Sequence, residues 1–517
     1  HMILNALPAI FAAWSMLLSP AMAQKDESSP IEIQVVDRET GRGVPMVELI
    51  TIDDLTYMTD NAGRVAFDEP EIIGQTIFFR VVSAGYQCLK DGFGIEGVRL
   101  KLEAGKSHRI ELTRTNVAER LYRITGRNLY LDSVRLGKSV PLKNPLGSGM
   151  VLGQDSVQTA ILNDRMYWFW GDTNRLSYPL GLFRTAGATS PLPGQPGNVP
   201  NDGIDLDYFT NEEGFARAMV DVPQKEGVVW IHGLCVVTEK DQKPRMVTQY
   251  SRRKGLAEPL EQGHLVWNDD RKIFEILEVI DLADTWRILR DHPVHVTKNG
   301  VDYVCFGNPF PVTRVPATLE AIQDRSAYES FTCVASTGET QTSTKLDRDP
   351  AGKLMWSWKK AAPVTQQDEQ KWIKSGLMKS EEARLLPVDA DKPERRVLMH
   401  AGSVYFNAYR KRWIMIANEI AWDKSSPSHL GEVYYSEAET PTGPFVKALK
   451  VASHPKQSFY NPVQHPEFDE QQGQRIYFEG TYTNSFTNSP ATPQYNYNQL
   501  MYQLDLGGKR IREVFDR

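Results

Sequence analysis

The chain has 517 residues, which is several times the length of an average domain and enough to bury a large core. Its formal net charge of −6 supplies no basic field that could gather phosphates, so the composition argues against nucleic acid as a partner. Aromatic residues make up 10% of the chain, and short runs rich in Val, Thr and Tyr alternate with Gly and Pro. This composition indicates a mostly β protein.

The first segment is predicted to be a targeting sequence. The run from Ile3 to Met22 is apolar and ends in an A-x-A pattern at Ala21 to Ala23, which is typical of a secretory signal. We therefore predict a signal peptide over residues 1–23 and a secreted or periplasmic protein, with a membrane anchor as the alternative. After signal removal, no integral membrane segment is expected.

The cysteines are too scattered for a metal-binding C-x-x-C motif. They lie at Cys88, Cys235, Cys305 and Cys333. A chain of this size does not need disulfides to fold, so at most Cys305 and Cys333 are expected to pair.

Residues 30–115 are predicted to form an antiparallel β-sandwich. Runs with period-two alternation, such as IEIQVVD from Ile31 and TIFFRVV from Thr76, are separated by turns rich in Gly, Asn and Asp. The order VVD, TGRGVP, TDNAGRVAF and SAGY resembles the transthyretin-like or carboxypeptidase-regulatory modules attached to many secreted enzymes. That resemblance implies a packing or adhesion role without a catalytic site.

Residues 116–517 repeat a different pattern, in which a strand enters, a polar turn reverses it and an aromatic strand returns. Several of these hairpins are followed by a further strand. Units of three or four antiparallel strands at such intervals are typical of a β-propeller, and five hairpins predict five blades. The alternative is one or two irregular sandwiches. The hairpins begin at Asp155, His232, His292, His400 and Asn461.

Propeller geometry predicts where polar side chains would gather. Residues that begin a first strand and residues that end the second emerge at the same mouth, because the two strands are antiparallel. The residues that begin the hairpins should therefore meet a set that ends the returning strands or begins a third one. This second set comprises Asp172, Asn308, Glu419, Glu479 and Glu432.

Paired carboxyl groups at one mouth predict hydrolysis of a glycosidic bond. One protonates the leaving oxygen, and the other activates water or attacks the sugar. Asp155 is the base candidate, and Glu432 is the preferred acid with Glu419 and Glu479 as competitors. Asp172 is a further candidate at the mouth. Each could instead cap a turn or pair with an arginine.

The histidines support a second interpretation. His232, His292, His400 and His465 lie on or beside inner strands, and a His with a Tyr could abstract a proton from a uronic acid. The protein would then be a polysaccharide lyase. No cofactor is required, but neutral imidazoles near a carboxylate would permit a divalent cation on the axis. The metal ligands are not identified, because no short ligand spacing such as H-x-H or HExxH occurs.

Aromatic and amide side chains indicate a carbohydrate substrate. Trp170, Tyr460 and Tyr482 flank the predicted mouth and could stack on sugar faces, while Asn461 and the histidines could bind hydroxyl groups. The alternative for the aromatic residues is ordinary packing between blades.

The segment GQDSVQTAILNDRMYWFWGDT from Gly153 resembles the opening blade of five-bladed propeller glycoside hydrolases, the arabinanase and xylosidase-like families. LGEVYYSEAETPTGPF from Leu430 is similar to their third strands, and the GDT at Gly171 is also similar to related secreted propeller families. The resemblance implies a base role for Asp155 and a mouth role for Asp172. It leaves the acid open, because His400 and Gly402 stand where those families commonly place an acidic residue.

Together, these patterns predict a secreted all-β enzyme, an N-terminal β-sandwich followed by a five-bladed β-propeller, that cleaves glycosidic bonds in a poly- or oligosaccharide. A lyase is the second hypothesis. A non-catalytic carbohydrate-binding surface protein, which would keep the aromatic residues without needing the carboxylates, is the third.

Overall fold

A computed structural model describes residues 29–182, 184–224, 226–335, 344–421 and 428–516. The predicted signal peptide at 1–23 lies outside these ranges. Within them, no helix has both the length and the apolar character needed to cross a bilayer. The protein is all-β, as predicted, and its few helices are short.

The N-terminal strands form two four-stranded sheets with the orders β4-β1-β8-β6 and β3-β2-β5-β7. Alternate residues of the strands point inward, so that Ile31, Ile33 and Val35 are fully buried. They pack with Phe67 and Phe79 from the other strands in one apolar core. The strands are β1 (Ile31–Asp37), β2 (Glu48–Ile50), β3 (Thr56–Met58), β4 (Arg64–Phe67), β5 (Thr76–Val82), β6 (Tyr86–Gln87), β7 (Gly97–Lys101) and β8 (Ser107–Arg114).

The chain then starts a series of larger sheets. Sheet I consists of β11, β12, β15 and β18, while β10, β13 and β14 form one small sheet and β16 and β17 another. The elements of this part are β9 (Glu119–Arg123), α1 (Leu131–Arg135), β10 (Gly153–Gln154), β11 (Gln158–Leu162), β12 (Arg165–Trp170), β13 (Thr173–Arg175), β14 (Tyr178–Leu182), β15 (Ala186–Ser190), β16 (Asn198–Val199), β17 (Gly203–Ile204) and β18 (Asp207–Tyr208).

Sheets II and III each have five strands. Sheet II has the order β19-β23-β22-β21-β20, and sheet III runs from β24 to β28 in sequence order. Their elements are β19 (Val220–Asp221), β20 (Val228–Thr238), β21 (Pro244–Lys254), β22 (Glu258–Asn268), β23 (Ile273–Ile280), β24 (Val294–Lys298), β25 (Val301–Phe306), β26 (Thr313–Pro316), α2 (Leu319–Gln323), a 3-10 turn (Arg325–Ala327), β27 (Glu329–Thr332) and β28 (Ser357–Lys359).

Sheet IV has the order β29-β33-β32-β31-β30, and sheet V the order β34-β35-β36-β9. A capping box at Thr365 fixes the start of helix α3. The elements are α3 (Gln366–Lys374), a 3-10 turn (Ser380–Glu382), β29 (Val388–Asp389), β30 (Met399–Asn407), β31 (Arg412–Glu419), β32 (Glu432–Ala438), β33 (Lys447–Ser453), β34 (Ser458–Gln464), 3-10 turns (Pro466–Phe468 and Gln471–Gly473), β35 (Arg475–Thr483), β36 (Asn498–Asp505) and α4 (Lys509–Phe515).

The ring of sheets is closed by β9. This early strand pairs with β36 near the C-terminus, with Leu500 opposite Arg123 and Met501 opposite Tyr122. Separate apolar clusters fill the spaces between sheets I and II, II and III, III and IV, IV and V, and V and I. The fold is therefore a β-propeller in which every sheet packs on its neighbours. The count of five blades and the domain limits stay predictions, which this circular order supports.

Buried arginines of β9 join the sandwich to the propeller. Arg120 donates to the carbonyl oxygens of Pro45 and Ala84, each at 2.8 Å. Asn61 exchanges two hydrogen bonds with the backbone of Arg123, at 2.8 and 2.9 Å. The strand that closes the ring thus also anchors the N-terminal sheets.

Cys305 and Cys333, the one pair that the sequence allowed, are not bonded to each other. All four cysteines are free and buried. Burial raises the pKa of the Cys333 thiol to about 12, so it packs as a small neutral group.

Trp168 packs at the junction between sheets V and I, and its substitution tests that packing. It is fully buried, stacks on Trp170 at 6.4 Å between ring centroids and lies 5.4 Å from the His465 ring. Trp168→Ala should lower the free energy of unfolding by about 3–5 kcal/mol, because it leaves a large cavity. Denaturant unfolding would measure this, with the 89% exposed Phe93→Ala as the control. Equal losses in the two variants would contradict the proposed packing role.

Candidate active site

A polar cavity of about 490 Å³ opens where the first strands of the sheets converge. Residues from all five sheets or their connections line it. Five residues that the sequence assigned to the mouth are on its wall, namely His232, His292, Asn308, His400 and Asn461. The rule that strand starts and returning ends share one mouth therefore located the cavity, although a functional role for these residues stays a proposal.

Sheet II contributes long strands to the cavity wall. Strands β20 and β21 have 11 residues each, and their alternate side chains face inward. Trp230 lies opposite Ser251 and His232 opposite Gln249 in the antiparallel register, and Arg253 is the next inward residue of β21. The wall therefore combines an aromatic ring, hydroxyl and amide groups, an imidazole and a guanidinium.

Gly233 allows this wall to meet the start of sheet III. Its φ is +69°, and a Cβ atom there would lie 2.6 Å from the backbone nitrogen of Arg290. The bulge at this point lets the Gly233 amide donate to the carbonyl oxygen of Asp291 at 2.9 Å. The contact fixes the segment 290–292 beside His232.

Asp291 is a nearly buried carboxyl group on the cavity wall, with 11% of its side chain exposed. It accepts a hydrogen bond from the Gly402 amide at 3.1 Å, and its other oxygen lies 3.6 Å from His292 Nε2. Burial raises its pKa to about 8, against the lowering effect of the Gly402 amide. At neutral pH, the protonated form of Asp291 is therefore favoured.

A buried chain of polar contacts holds the segment before Asp291. The Leu289 amide donates to His264 Nε2 at 3.2 Å, while His264 Nδ1 lies 2.7 Å from Glu278. Arg325 completes the chain with an ion pair to Glu278 at 2.6 Å. Since Nε2 accepts, the ring proton of His264 is on Nδ1.

Asp155 and Asp172 are not on the cavity wall but form a second acidic group directly behind it, where they contact the wall residues Ser156 and Trp230. Tyr460 donates to Asp155 at 2.7 Å, and Trp230 Nε1 donates to Asp172 at 3.0 Å. Burial and then the charge of Asp155 raise the pKa of Asp172 to about 7. Burial also raises the pKa of Asp155, while the hydroxyls of Tyr460 and Tyr497 act in the opposite direction. Two close carboxyl groups disfavour double ionisation, so the pair tends to share one charge near neutral pH.

The imidazoles of the cavity are neutral at pH 7. Burial, followed by the charges of Arg290 and Arg253, lowers the pKa of His232 to about 4. Burial lowers the pKa of His292 to about 3 and also lowers that of His400. Neutral imidazoles can bind a metal, but no three His, Cys, Asp or Glu side chains within the described ranges converge as a metal site. We derive no chemical step through a cation.

The three glutamates predicted as acids lie off the cavity wall. Glu432, on the middle strand β32 of sheet IV, contacts Ser453 at 2.9 Å and Lys450 at 3.0 Å on the neighbouring β33. Glu419 is buried in an ion pair with Arg395. Glu479 lies in the middle of β35 rather than at its end, and it receives a hydrogen bond from Gln499 at 2.8 Å.

Several residues predicted to bind substrate are instead occupied inside the protein. Trp170 is fully buried between sheets V and I. Tyr482 bonds to Thr492 at 2.8 Å, and Tyr460 bonds to Asp155. His465 is fully buried; burial disfavours its charge, but the carboxylates of Glu467 and Glu479 raise its pKa to about 9. These four residues therefore pack in the fold or contact acidic side chains.

The sequence interpretation missed Asp291, Arg290 and Arg253. Asp291 directly precedes the predicted mouth residue His292. The rule that strand starts face the mouth therefore also points to Asp291 when it includes the residue before each start. Arg253 lies near the end of β21, which is a returning strand. Its inward direction depends on the register of a long hairpin, which the sequence alone did not reveal.

No family model and no curated protein matches the chain. Among solved structures, it is similar to an exo-β-1,3-galactanase from Phanerochaete chrysosporium, with 8% identity and a TM-score of 0.36 over 74% of this chain and 65% of that one. An α-L-arabinanase from Cellvibrio cellulosa has 9% identity and a TM-score of 0.33, over 66% and 90% of the two chains. An endo-arabinase from Bacteroides thetaiotaomicron has 9% identity and a TM-score of 0.32, over 71% and 97%. At these scores, the likeness assigns neither a family nor an activity.

The protonation of Asp291 predicts that the difference in stability between wild type and Asp291→Asn depends on pH. The folded protein retains this proton up to about pH 8, whereas the unfolded chain releases it near 3.8. Wild type should therefore lose about 2–5 kcal/mol relative to Asp291→Asn as the pH rises from 4 to 9. Denaturant unfolding at a series of pH values would measure this, and exposed Asp164→Asn is the control. A constant difference across that range would contradict the buried, protonated acid.

Proposed function

We propose that the protein hydrolyses glycosidic bonds at the cavity in the centre of the propeller. The observation that carries this proposal is the presence of two acidic groups with raised pKa values beside one polar cavity. Asp291 is on its wall, and the pair Asp155 and Asp172 lies directly behind the wall residues Ser156 and Trp230. Glycoside hydrolysis needs one protonated and one ionised carboxyl group near the same bond.

Asp291 is assigned as the general acid. Its carboxyl group stays protonated at neutral pH and is held by the Gly402 amide. In the reaction, it would transfer its proton to the glycosidic oxygen as the bond from that oxygen to the anomeric carbon breaks. This role replaces the one assigned to Glu432 from the sequence, because Glu432 is paired with Lys450 outside the cavity wall.

Asp155 is assigned as the base, with Asp172 as its partner. Hydroxyl donors on Asp155 stabilise its ionised form, so the shared charge of the pair is favoured there. The carboxylate would remove a proton from water while the water oxygen bonds to the anomeric carbon. The proton taken up by Asp155 balances the proton given by Asp291, and one water molecule is consumed.

The remaining wall suits sugar hydroxyl groups. Gln249, Ser251, Gln262 and Asn461 present amide and hydroxyl groups, and Trp230 offers an aromatic ring. Such a combination is typical of carbohydrate sites.

Substitution of the acids tests the assignment after a screen of plant, algal and bacterial glycans has identified a substrate by product analysis. Asp155→Asn and Asp291→Asn should each reduce kcat by about 100-fold or more, because each removes a proton-transfer group. In wild type, activity should also fall as the pH rises through about 8, where Asp291 loses its proton.

Glu432→Gln is the matched control, since it removes a carboxylate of sheet IV that contacts Lys450 and Ser453 and no residue of the cavity wall. It should keep kcat within about threefold of wild type. Near-normal activity of Asp155→Asn or Asp291→Asn, or a large loss in Glu432→Gln, would contradict the assignment.

Elimination from a uronate is the second candidate, favoured by the neutral imidazoles of His232 and His292. A neutral imidazole can act as a general base at pH 7. A lyase would produce an unsaturated product with a rise in absorbance at about 235 nm, as expected for a conjugated uronate, and would retain activity in Asp155→Asn. Hydrolysis would release reducing sugar without that rise.

A further inference from the structure

Two guanidinium groups share the cavity with the acids. Arg253 reaches it from β21 of sheet II and Arg290 from the segment before β24, so they come from different parts of the chain. His232 lines the same cavity, and the charges of Arg290 and Arg253 each lower its pKa. Two cations therefore face one side of the cavity, next to the position proposed for sugar binding.

Neither guanidinium has an acidic partner among the described residues. Arg253 donates to the carbonyl oxygen of Leu256 at 3.4 Å, and its buried Nε atom has no hydrogen-bond partner there. Arg290 donates to the carbonyl oxygen of Thr285 at 2.6 Å. Since a carbonyl oxygen carries no full charge, the positive charges remain uncompensated.

Some other arginines of the protein have a carboxylate partner: Arg114 contacts Asp37 at 2.9 Å, and Arg410 contacts Glu437 at 2.6 Å. Within the described part of the chain, Arg217 donates only to carbonyl oxygens, so the feature that distinguishes Arg253 and Arg290 is their place on the cavity wall. Arg253 is half-buried and Arg290 is exposed, so a ligand in the cavity can reach both and supply the counter-charge. Asp291, the acid nearest in sequence, does not supply it at neutral pH because it is protonated.

We infer that the cavity takes a glycan with an acidic substituent, a carboxylate or a sulfate ester, which Arg253 and Arg290 bind. This inference rests on the proposed function and narrows its substrate class from carbohydrate in general to anionic carbohydrate. Each guanidinium offers a planar set of N–H donors that matches the oxygens of such a group. The neutral imidazole of His232 on the same cavity wall offers a further donor or acceptor for a neighbouring hydroxyl group.

Binding measurements with matched pairs of oligosaccharides test the inference. The probes are oligomers of galacturonan, glucuronan and alginate, each with its counterpart in which the carboxyl groups are reduced to alcohols, and sulfated galactan oligomers with their desulfated counterparts. Titration calorimetry on the full chain should show at least tenfold tighter binding of one acidic oligomer than of its neutral counterpart. The pair that shows this preference distinguishes a carboxylate from a sulfate ester.

Substitutions then assign the preference to the two residues. Arg253→Gln and Arg290→Gln should each remove most of the preference while leaving the binding of the neutral counterpart within about threefold of wild type. Arg245→Gln is the control, because Arg245 lies at the other end of β21 and pairs with Glu239 at 2.6 Å. Thermal unfolding of each variant checks that a loss of binding does not reflect a loss of fold.

The outcomes separate this inference from the proposed function. Equal or weaker binding of every acidic oligomer, or an unchanged preference in both Arg253→Gln and Arg290→Gln, would overturn the inference even if a neutral glycan is cleaved. A preference that depends on the two arginines supports the inference even if none of the oligomers is cleaved, in which case the hydrolase proposal fails separately.

Discussion

The removal of carboxyl groups from water is the physical constraint on which the candidate site depends. A carboxylate loses much of its hydration when it is buried, so its proton is held more tightly. Asp291 shows this effect with little compensation, since the Gly402 amide is the one backbone donor that opposes it. Asp155 experiences the same burial but receives hydroxyl donors from Tyr460 and Tyr497. The carboxyl groups of Asp291 and Asp155 thus differ in how readily they bind a proton, because their environments differ. Acid and base catalysis requires such a difference.

The fold produces these environments by bringing backbone close to the acids. Gly233 accepts a left-handed φ and leaves room for the segment that carries Asp291, while a Cβ atom at Gly402 would lie 2.2 Å from the carbonyl oxygen of Ile416. At Gly171, a Cβ atom would lie 2.3 Å from an oxygen of Asp155. Glycine at these positions is therefore required by packing around the acids. Closure of the ring through β9 holds the sheets that supply them in one arrangement.

The sequence predicted most of the fold and part of the site, for reasons that differ between residues. Strand alternation and turn residues carry local information, so the N-terminal strands and the hairpin starts near His292 and His400 could be placed. The start predicted at His232 is wrong by four residues, because β20 begins at Val228. The burial of Trp170 depends on which face of an aromatic strand meets the next sheet, and short-range patterns do not specify this. Likewise, the pairing of Glu419 with Arg395 joins residues 24 positions apart through tertiary packing. The resemblance of the first blade directed attention to Asp155, whereas no motif marked Asp291.

The residues proposed for catalysis and the residues proposed for substrate binding come from different parts of the sheets. The acids come from strand starts and their flanking segments, where the ring of sheets limits movement. Strand β21, whose 11 residues exceed the five of β11 and β24, supplies the wall residues Gln249, Ser251 and Arg253. Arg290, Gln262 and Asn461 come from other segments. Because alternate residues of a long strand face the same side, added length places further side chains above the acids without moving them. A change at Arg253 or Ser251 can therefore alter which sugar substituent is bound while the hydrogen bonds around Asp155 and Asp291 stay intact.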